Sequence, residues 1–435
     1  MPGINFLVGG IPRGGTTAFA DALNQHPDIF CYASETHLLP LVAQAAAFAS
    51  PSSAGLPGLR AHLIKVLKQA LIEMVDYNLS QGSPRPLFRF TAAEIERLAD
   101  EVVGHISRGA VGANLIAHVS RSLGSLLKIR SKKKIIGEKT PNNIPALDML
   151  GQGSIVPTFA VVRNPYSVIR SMRKRAKNEN DKFASEFKGG IANQAGLYVK
   201  HGLAAARMAE IDAHLYRFED VSEHPEKAFT KVAAQIGLSV TPAQVTDMAR
   251  TIRKQAPRCP RSSFSLDEQA LIDAITEGTM QRLGYPAFAE SRAVEASLAP
   301  GWQIIAGGYD NGWISRNAIL LLVTEPDQVQ AEIHFWYAFP GTTADAFDTL
   351  RWSISDVDGD VLSEVEAMGG GPNKIVARID LTSGRRVVCR NGNSVRVLEI
   401  GCSHSFLPLA HPFRTGKANG DGRELSCRLV KVIFG

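Results

Sequence analysis

An α/β domain whose parallel sheet is flanked by helices, followed by an all-β antiparallel sandwich, is the architecture this sequence predicts. The first part follows from two observations. Phe6 to Leu23, FLVGGIPRGGTTAFADAL, reads as a buried strand, a glycine-rich turn and the start of a helix. Further short apolar runs at Ile29–Tyr32 and Thr158–Val162 are each followed by loop or helix signals. The second part follows from a change of texture near Gly301. NAILLLV, AEIHFWYAF, RWSISDV, KIVARIDL, SVRVLEI and RLVKVIFG are strand-like runs separated by Gly, Asp, Asn and Pro turns, without helical period. At 435 residues the chain exceeds one ordinary core. The expected layout is a domain over 1–290 containing a helical insertion at 38–130, a linker at 287–300 and a sandwich over 301–435.

The first element is a P-loop-like phosphate site. Glycines let backbone approach a ligand, and free N–H groups at a helix N-terminus point at it with the positive end of the helix dipole. Arg13 would add a full charge, Gly14 and Gly15 the close backbone, Thr16 and Thr17 two hydroxyl donors. A nucleotide triphosphate loop would carry lysine where Thr16 stands, and the basic residue sits three places earlier at Arg13.

The next elements place chemistry at strand ends. After Ile29–Tyr32 come Glu35 and His37. Loops after parallel strands lie at the carboxyl edge, where ligands bind, so either could act as a base on a hydroxyl. A helix cap or a basic partner is the plainer role for Glu35. Residues 38–130 carry i, i+3, i+4 apolar spacing, with Thr91 and Glu94 as a capping box. Ile135–Ile136 leads into Glu138-Lys139-Thr140-Pro141, and Pro141 biases Thr140 towards extended geometry. Thr158–Val162 ends at Arg163, Asn164-Pro165 opens a helix, and Ser171 lies eight residues beyond Arg163. Arginine gives a bidentate fork to phosphate and serine a hydroxyl donor.

Taken together these stretches resemble the sulfotransferases that use 3′-phosphoadenosine-5′-phosphosulfate (PAPS), over roughly residues 4–286. PRGGTT is similar to their PxSGTT loop, with Gly14 in place of the serine. HPDIFCYASETH resembles the region where a glutamate serves as base, EKTP the segment whose lysine reaches the sulfuryl group, and RNP with Ser171 the element that holds the 3′-phosphate. AHLYRFEDV resembles the family's strand ending in [YF]-E-D, with Phe218 in place of the more usual tyrosine. The resemblance implies a sulfotransferase fold and in-line transfer to an acceptor hydroxyl. Arg13 to Thr17 would hold the phosphosulfate, Arg163 and Ser171 the 3′-phosphate, Glu35 would be the base, and Lys139 with Arg13 would stabilise the oxygens. The product would be 3′,5′-ADP, with no metal required. A carbohydrate or glycolipid acceptor is favoured over a peptide or small-molecule hydroxyl. A nucleotide-dependent phosphotransferase and a binding module without catalysis are the competing classes.

The net charge of +6 is uneven: residues 300–435 carry 13 Lys+Arg against 15 Asp+Glu, so the basic excess lies in the N-terminal part, where it would steer an anion. No basic stripe is interleaved with aromatics, which argues against nucleic acid. No apolar run reaches the roughly 18 residues of a membrane span. Met1 to Asn5 leads straight into the first strand, so a cytoplasmic protein is expected; peripheral membrane contact and oligomeric state stay open. Five cysteines without CxxC spacing argue against a disulfide framework and a zinc site. Lys254, Arg258 and Arg261 read as a solvated basic loop rather than one closing on a nucleotide. The C-terminal part loosely resembles sandwich modules attached to some bacterial glycosyltransferases. Its Trp302, Trp313, Trp336 and Trp352 suit core and interface better than a sugar platform.

Overall fold

The computed structural model of the chain describes residues 3–32, 34–46, 56–80, 87–110, 112–151, 156–178, 184–252, 260–288, 298–309, 311–337, 349–368, 373–403 and 425–435. Lys254 and Arg258, and most of the expected linker, lie outside them. By its contacts the chain forms two compact units, residues 1–163 with 204–258, and residues 164–203 with 259–435. The division at 287–300 remains a proposal drawn from composition.

Unit 1 is built on a five-stranded sheet of order β2-β3-β1-β4-β5, with every neighbouring pair parallel. Its strands are β1 (Phe6–Gly10), β2 (Ile29–Tyr32), β3 (Ile135–Lys139), β4 (Thr158–Val162) and β5 (His214–Arg217). Helix α1 (Thr16–Leu23) follows β1. The insertion holds α2 (Leu38–Ala46), α3 (Leu56–Lys68), a π-helical turn (Gln69–Glu73), α4 (Met74–Ser80), α5 (Ala92–Ser107) and α6 (Gly112–Ser131). Thr91 and Glu94 form the expected capping box of α5. α7 (Asn143–Leu150) follows β3. All five residues of β1 and of β4 are buried, as continuous apolar runs in a doubly covered parallel sheet require. One core cluster joins Phe6, Phe19, Phe159, Phe218 and Phe229. Phe19 sets its ring 5.5 Å from both Tyr216 and Phe229. Each such burial stabilises the unit by about 1.5–3 kcal/mol.

α8 (Pro165–Ala176) opens with Asn164 as N-cap, accepting from the Tyr166 N–H, and Pro165 at its first position. It belongs to unit 2, and α9 (Gly190–Ile211) runs from unit 2 into unit 1. Unit 1 then continues with α10 (Phe218–Glu223), α11 (Pro225–Gln235) and α12 (Pro242–Arg250). Phe218 opens α10 rather than closing β5, so the expected strand end is shorter by the Phe-Glu-Asp triplet.

α13 (Leu266–Arg282) starts at a capping box, Ser265 with Glu268. The β module follows: β6 (Gly301–Gly308), β7 (Trp313–Thr324), β8 (Gln330–Tyr337), β9 (Thr349–Asp356), β10 (Val361–Met368), β11 (Asn373–Asp380), β12 (Val387–Val388), β13 (Ser394–Cys402) and β14 (Cys427–Phe434). They form one antiparallel sheet of order β10-β9-β13-β7-β14-β8-β11, with β6 on β7 and β12 on β13. The end strands β10 and β11 pack against each other, so the sandwich is a nearly closed barrel. Trp352 is buried in its core beside Tyr337, and Trp313 meets Trp336 edge-on. Trp302 is exposed. Within unit 2 the barrel is tied to helices. Arg385 pairs with Glu277 of α13 at 3.1 Å and donates to Gln281 at 2.9 Å, while Lys200 of α9 donates to Ser315 of β7 at 3.1 Å.

Arg261 corrects the solvated-loop expectation. Its guanidinium pairs with the buried Asp273 carboxylate at 2.6 Å and sits against the rings of Tyr166 and Phe288. Tyr166 donates to the same carboxylate at 2.6 Å.

Candidate active site

The turn between β1 and α1 is shaped by residues whose backbone excludes alternatives. Gly10 has φ 126°, and a Cβ there would lie 2.1 Å from the Val161 carbonyl oxygen. Ile11 donates to that oxygen, and the Gly14 N–H closes a tight turn onto Ile11 O at 2.8 Å. Arg13 is exposed at φ 67°, in the left-handed region that suits the crest of such a turn. Gly15 is the N-cap of α1 at φ 103° and supplies no side-chain acceptor. The first N–H groups of α1 therefore have no acceptor within the helix. With the Thr16 and Thr17 hydroxyls and the Arg13 charge, this donor set suits an anion. Thr16 is buried and opens α1.

Glu35 and Lys139 come from neighbouring strand ends. Lys139 closes β3, is only 1% exposed, and donates to Glu35 Oε1 at 2.6 Å. His37 Nε2 lies 3.6 Å from the other oxygen of Glu35. Glu35 thus takes the basic partner that was its plainer role, and that partner is the lysine singled out for chemistry. Beneath them lies Glu138, wholly buried, whose carboxylate accepts from the Thr36 N–H at 3.1 Å, Thr36 Oγ1 at 2.9 Å, Thr140 Oγ1 at 2.6 Å and Asn143 Nδ2 at 2.6 Å. Burial raises the Cys31 thiol well above its usual range, and the Glu138 charge pushes the same way. The sequence reading passed over Glu138. An acidic residue inside a buried strand run, between Ile136 and Thr140, was the available signal, since a buried carboxylate must be partnered.

Arg163 follows β4 and lies over the ring of Phe218, with its guanidinium carbon 5.2 Å from the ring centroid. The same ring closes against the glycine turn, for a Cβ on Gly15 would stand 2.3 Å from Phe218 Cδ2. One aromatic side chain therefore connects the first cation after β4 to the N-terminus of α1. Sheet order sets the carboxyl-edge residues in sequence across unit 1: Glu35, Lys139, the 11–15 turn, Arg163, Phe218. Ser171 is half-buried on α8 of unit 2. Among the described residues no group of three or more His, Cys, Asp or Glu is arranged to hold a metal ion.

The family model described as the sulfotransferase family matches residues 5–242, more than half of the chain and the whole span from the glycine turn to Phe218. This chain belongs to the sulfotransferase family. Solved structures similar to this sulfotransferase include three sulfotransferase structures. The sulfotransferase domain of the Synechococcus PCC 7002 olefin synthase is 17% identical at TM-score 0.35, over 65% of this chain and 93% of that one. The sulfotransferase domain of the curacin biosynthetic pathway is 15% identical at TM-score 0.32, over 67% and 96%. Sulfotransferase STF9 from Mycobacterium avium is 11% identical at TM-score 0.33, over 60% and 75%. No curated protein matches the chain. Among the described residues of this sulfotransferase, no helix is long and apolar enough to cross a membrane.

Proposed function

We propose that this sulfotransferase moves the sulfuryl group of PAPS to a hydroxyl of a carbohydrate or glycolipid, with Glu35 as the base. The observation that carries this reading is the sheet edge of unit 1, where a carboxylate–lysine pair, a donor-rich turn and an arginine occupy successive strand ends. The residues suit the cosubstrate in the donors, of both backbone and side chain, that gather at the start of α1. PAPS, when bound, supplies a sulfur electrophile on a leaving phosphate. In this reading Arg13, the Gly14 and Gly15 backbone, Thr16 and Thr17 bind the phosphosulfate, and Arg163 with Ser171 binds the 3′-phosphate. Lys139 turns from Glu35 towards the oxygens on which charge develops, a contribution that acts in the transition state. The freed Glu35 carboxylate accepts the proton of the attacking hydroxyl; the new bond joins acceptor oxygen to sulfur, the sulfur–phosphate bridging bond breaks, and 3′,5′-ADP leaves. No step calls for a metal. The basic excess of residues 1–299 steers the anionic cosubstrate, and a cytoplasmic location supplies it.

The glycan or glycolipid acceptor class rests on the resemblance of the C-terminal part to sandwich modules attached to some bacterial glycosyltransferases, and not on its tryptophans, of which Trp352 is buried in the barrel core and Trp313 packs against it. Transfer from 35S-labelled PAPS to a panel of glycan, glycolipid, peptide and phenolic hydroxyls tests the reading. Label on a glycan or glycolipid supports it. Label on peptides or phenols alone overturns the acceptor class, and no transfer to any acceptor overturns the activity.

A further inference from the structure

The segment that carries Glu35 is held in an improbable backbone. Glu35 and His37 both have left-handed φ, 65° and 53°, a conformation L side chains rarely adopt. What over-determines it is Glu138, 102 residues away in sequence from Thr36. Thr36 is wholly buried between the two strained residues and donates twice to Glu138 Oε1, from its N–H and its hydroxyl. The Thr36 hydroxyl oxygen also accepts from the Leu38 N–H at the start of α2. Thr140 extends the link, since its hydroxyl donates to Glu138 Oε1 and accepts from the His37 N–H at 3.4 Å. Asn143, at the start of α7, occupies the other carboxylate oxygen. The two carboxylate oxygens of Glu138 thus tie together three elements: the 34–37 segment, the end of β3 and the start of α7.

We propose that Glu138 and Thr36 form a latch that sets the positions of Glu35 and Lys139, and that Glu138 is a positioning residue of the transfer reaction. The proposal rests on the sulfuryl-transfer reading above, in which Glu35 and Lys139 meet the reactants. Lys139 is the next residue in β3, so the latch fixes the lysine through the strand and the glutamate through the 34–37 segment. It thereby holds the 2.6 Å pair together across two strand ends. Displacing a reacting group by 1 Å costs up to about 100-fold in rate, so positioning of this kind has catalytic weight.

Thr36→Val removes the hydroxyl while keeping the branched shape, and Glu138→Gln keeps the volume while replacing one of the carboxylate oxygens to which Thr36, Thr140 and Asn143 donate. Two measurements need no turnover: the rate at which acetic anhydride labels Lys139, read by mass spectrometry, and the affinity for 3′,5′-ADP by calorimetry. In both variants Lys139 labelling should rise at least about fivefold, the 3′,5′-ADP affinity should stay within about twofold, and kcat for 35S transfer should fall about 10-fold with the PAPS KM unchanged. Thr36→Ser should restore the wild-type values. Lys139 labelling that stays at the wild-type rate in both variants would overturn the latch, whatever happens to melting temperature. Failure of the sulfuryl-transfer reading shows separately, as Glu35→Gln transferring label as fast as wild type.

Discussion

Replacing Gly15 by alanine tests the geometry that joins the glycine turn to Arg163. Two penalties are readable from the structure. The residue sits at φ 103°, where an L side chain costs about 1–2 kcal/mol. Its new Cβ would stand 2.3 Å and 2.6 Å from two ring atoms of the buried Phe218, and such overpacking costs about 1–3 kcal/mol. Together Gly15→Ala should destabilise unit 1 by about 2–5 kcal/mol, a large share of a typical 5–15 kcal/mol. Because the displaced ring lies under Arg163, the affinity for 3′,5′-ADP should fall about 10-fold as well, the equivalent of about 1.4 kcal/mol. A double-mutant cycle separates the two penalties. In a Phe218→Ala background, itself costing about 3–5 kcal/mol, the clash is gone and Gly15→Ala should cost only the backbone term of about 1–2 kcal/mol. Urea unfolding of the four proteins and calorimetric titration with 3′,5′-ADP supply the numbers. A coupling energy of about 1–3 kcal/mol is expected. Equal costs in both backgrounds, or unchanged nucleotide affinity in Gly15→Ala, would refute the reasoning.

Glu35→Gln should lower kcat about 100- to 10,000-fold, the range of general-base contributions, while 3′,5′-ADP binds as before; near-normal turnover would remove Glu35 from that role. Arg163→Ala should weaken 3′,5′-ADP about 10- to 100-fold by loss of a charge-assisted donor, and calorimetry reads it directly. Arg385→Ala strips Glu277 and Gln281 of their barrel partner within unit 2, and should cost about 1–3 kcal/mol in thermal unfolding. Burial raises the Glu94 carboxyl, but Arg130 and Thr91 outweigh it and hold it at about 2. A depressed carboxyl stabilises above its unfolded pKa, so this contribution should fade as pH falls from about 4.5 towards 2, and Arg130→Ala should flatten that limb of an acid-unfolding curve.

The elements that bear the site were legible because each is local. FLVGG, TFAVV and the Pro-Arg-Gly-Gly turn carry their own apolar, β-branched and glycine signals, and Asn164-Pro165 announces a helix start. What escaped is long-range. Glu138 looked like a neighbour of Lys139, and its partners come from Thr36 and Asn143, on other elements. Phe218 reads as a tyrosine site that keeps apolar packing without the hydroxyl, but its partners, Gly15 and Arg163, lie on other elements and carry no local signal. β10 went unread because Glu364 and Glu366 alternate with apolar residues in VLSEVEAM, so no apolar run forms. β6 was hidden by the glycines of GWQIIAGG, which sit beside register shifts on β7. Closure of the barrel is a property of the whole sheet, and no single run encodes it.

Soaking 3′,5′-ADP into crystals of the full chain tests the central claim most directly. The account predicts the 5′-phosphate on the backbone N–H groups at Gly15 to Thr17 and the 3′-phosphate against the Arg163 guanidinium. Nucleotide bound away from the sheet edge, or with its 3′-phosphate out of reach of Arg163, would contradict it.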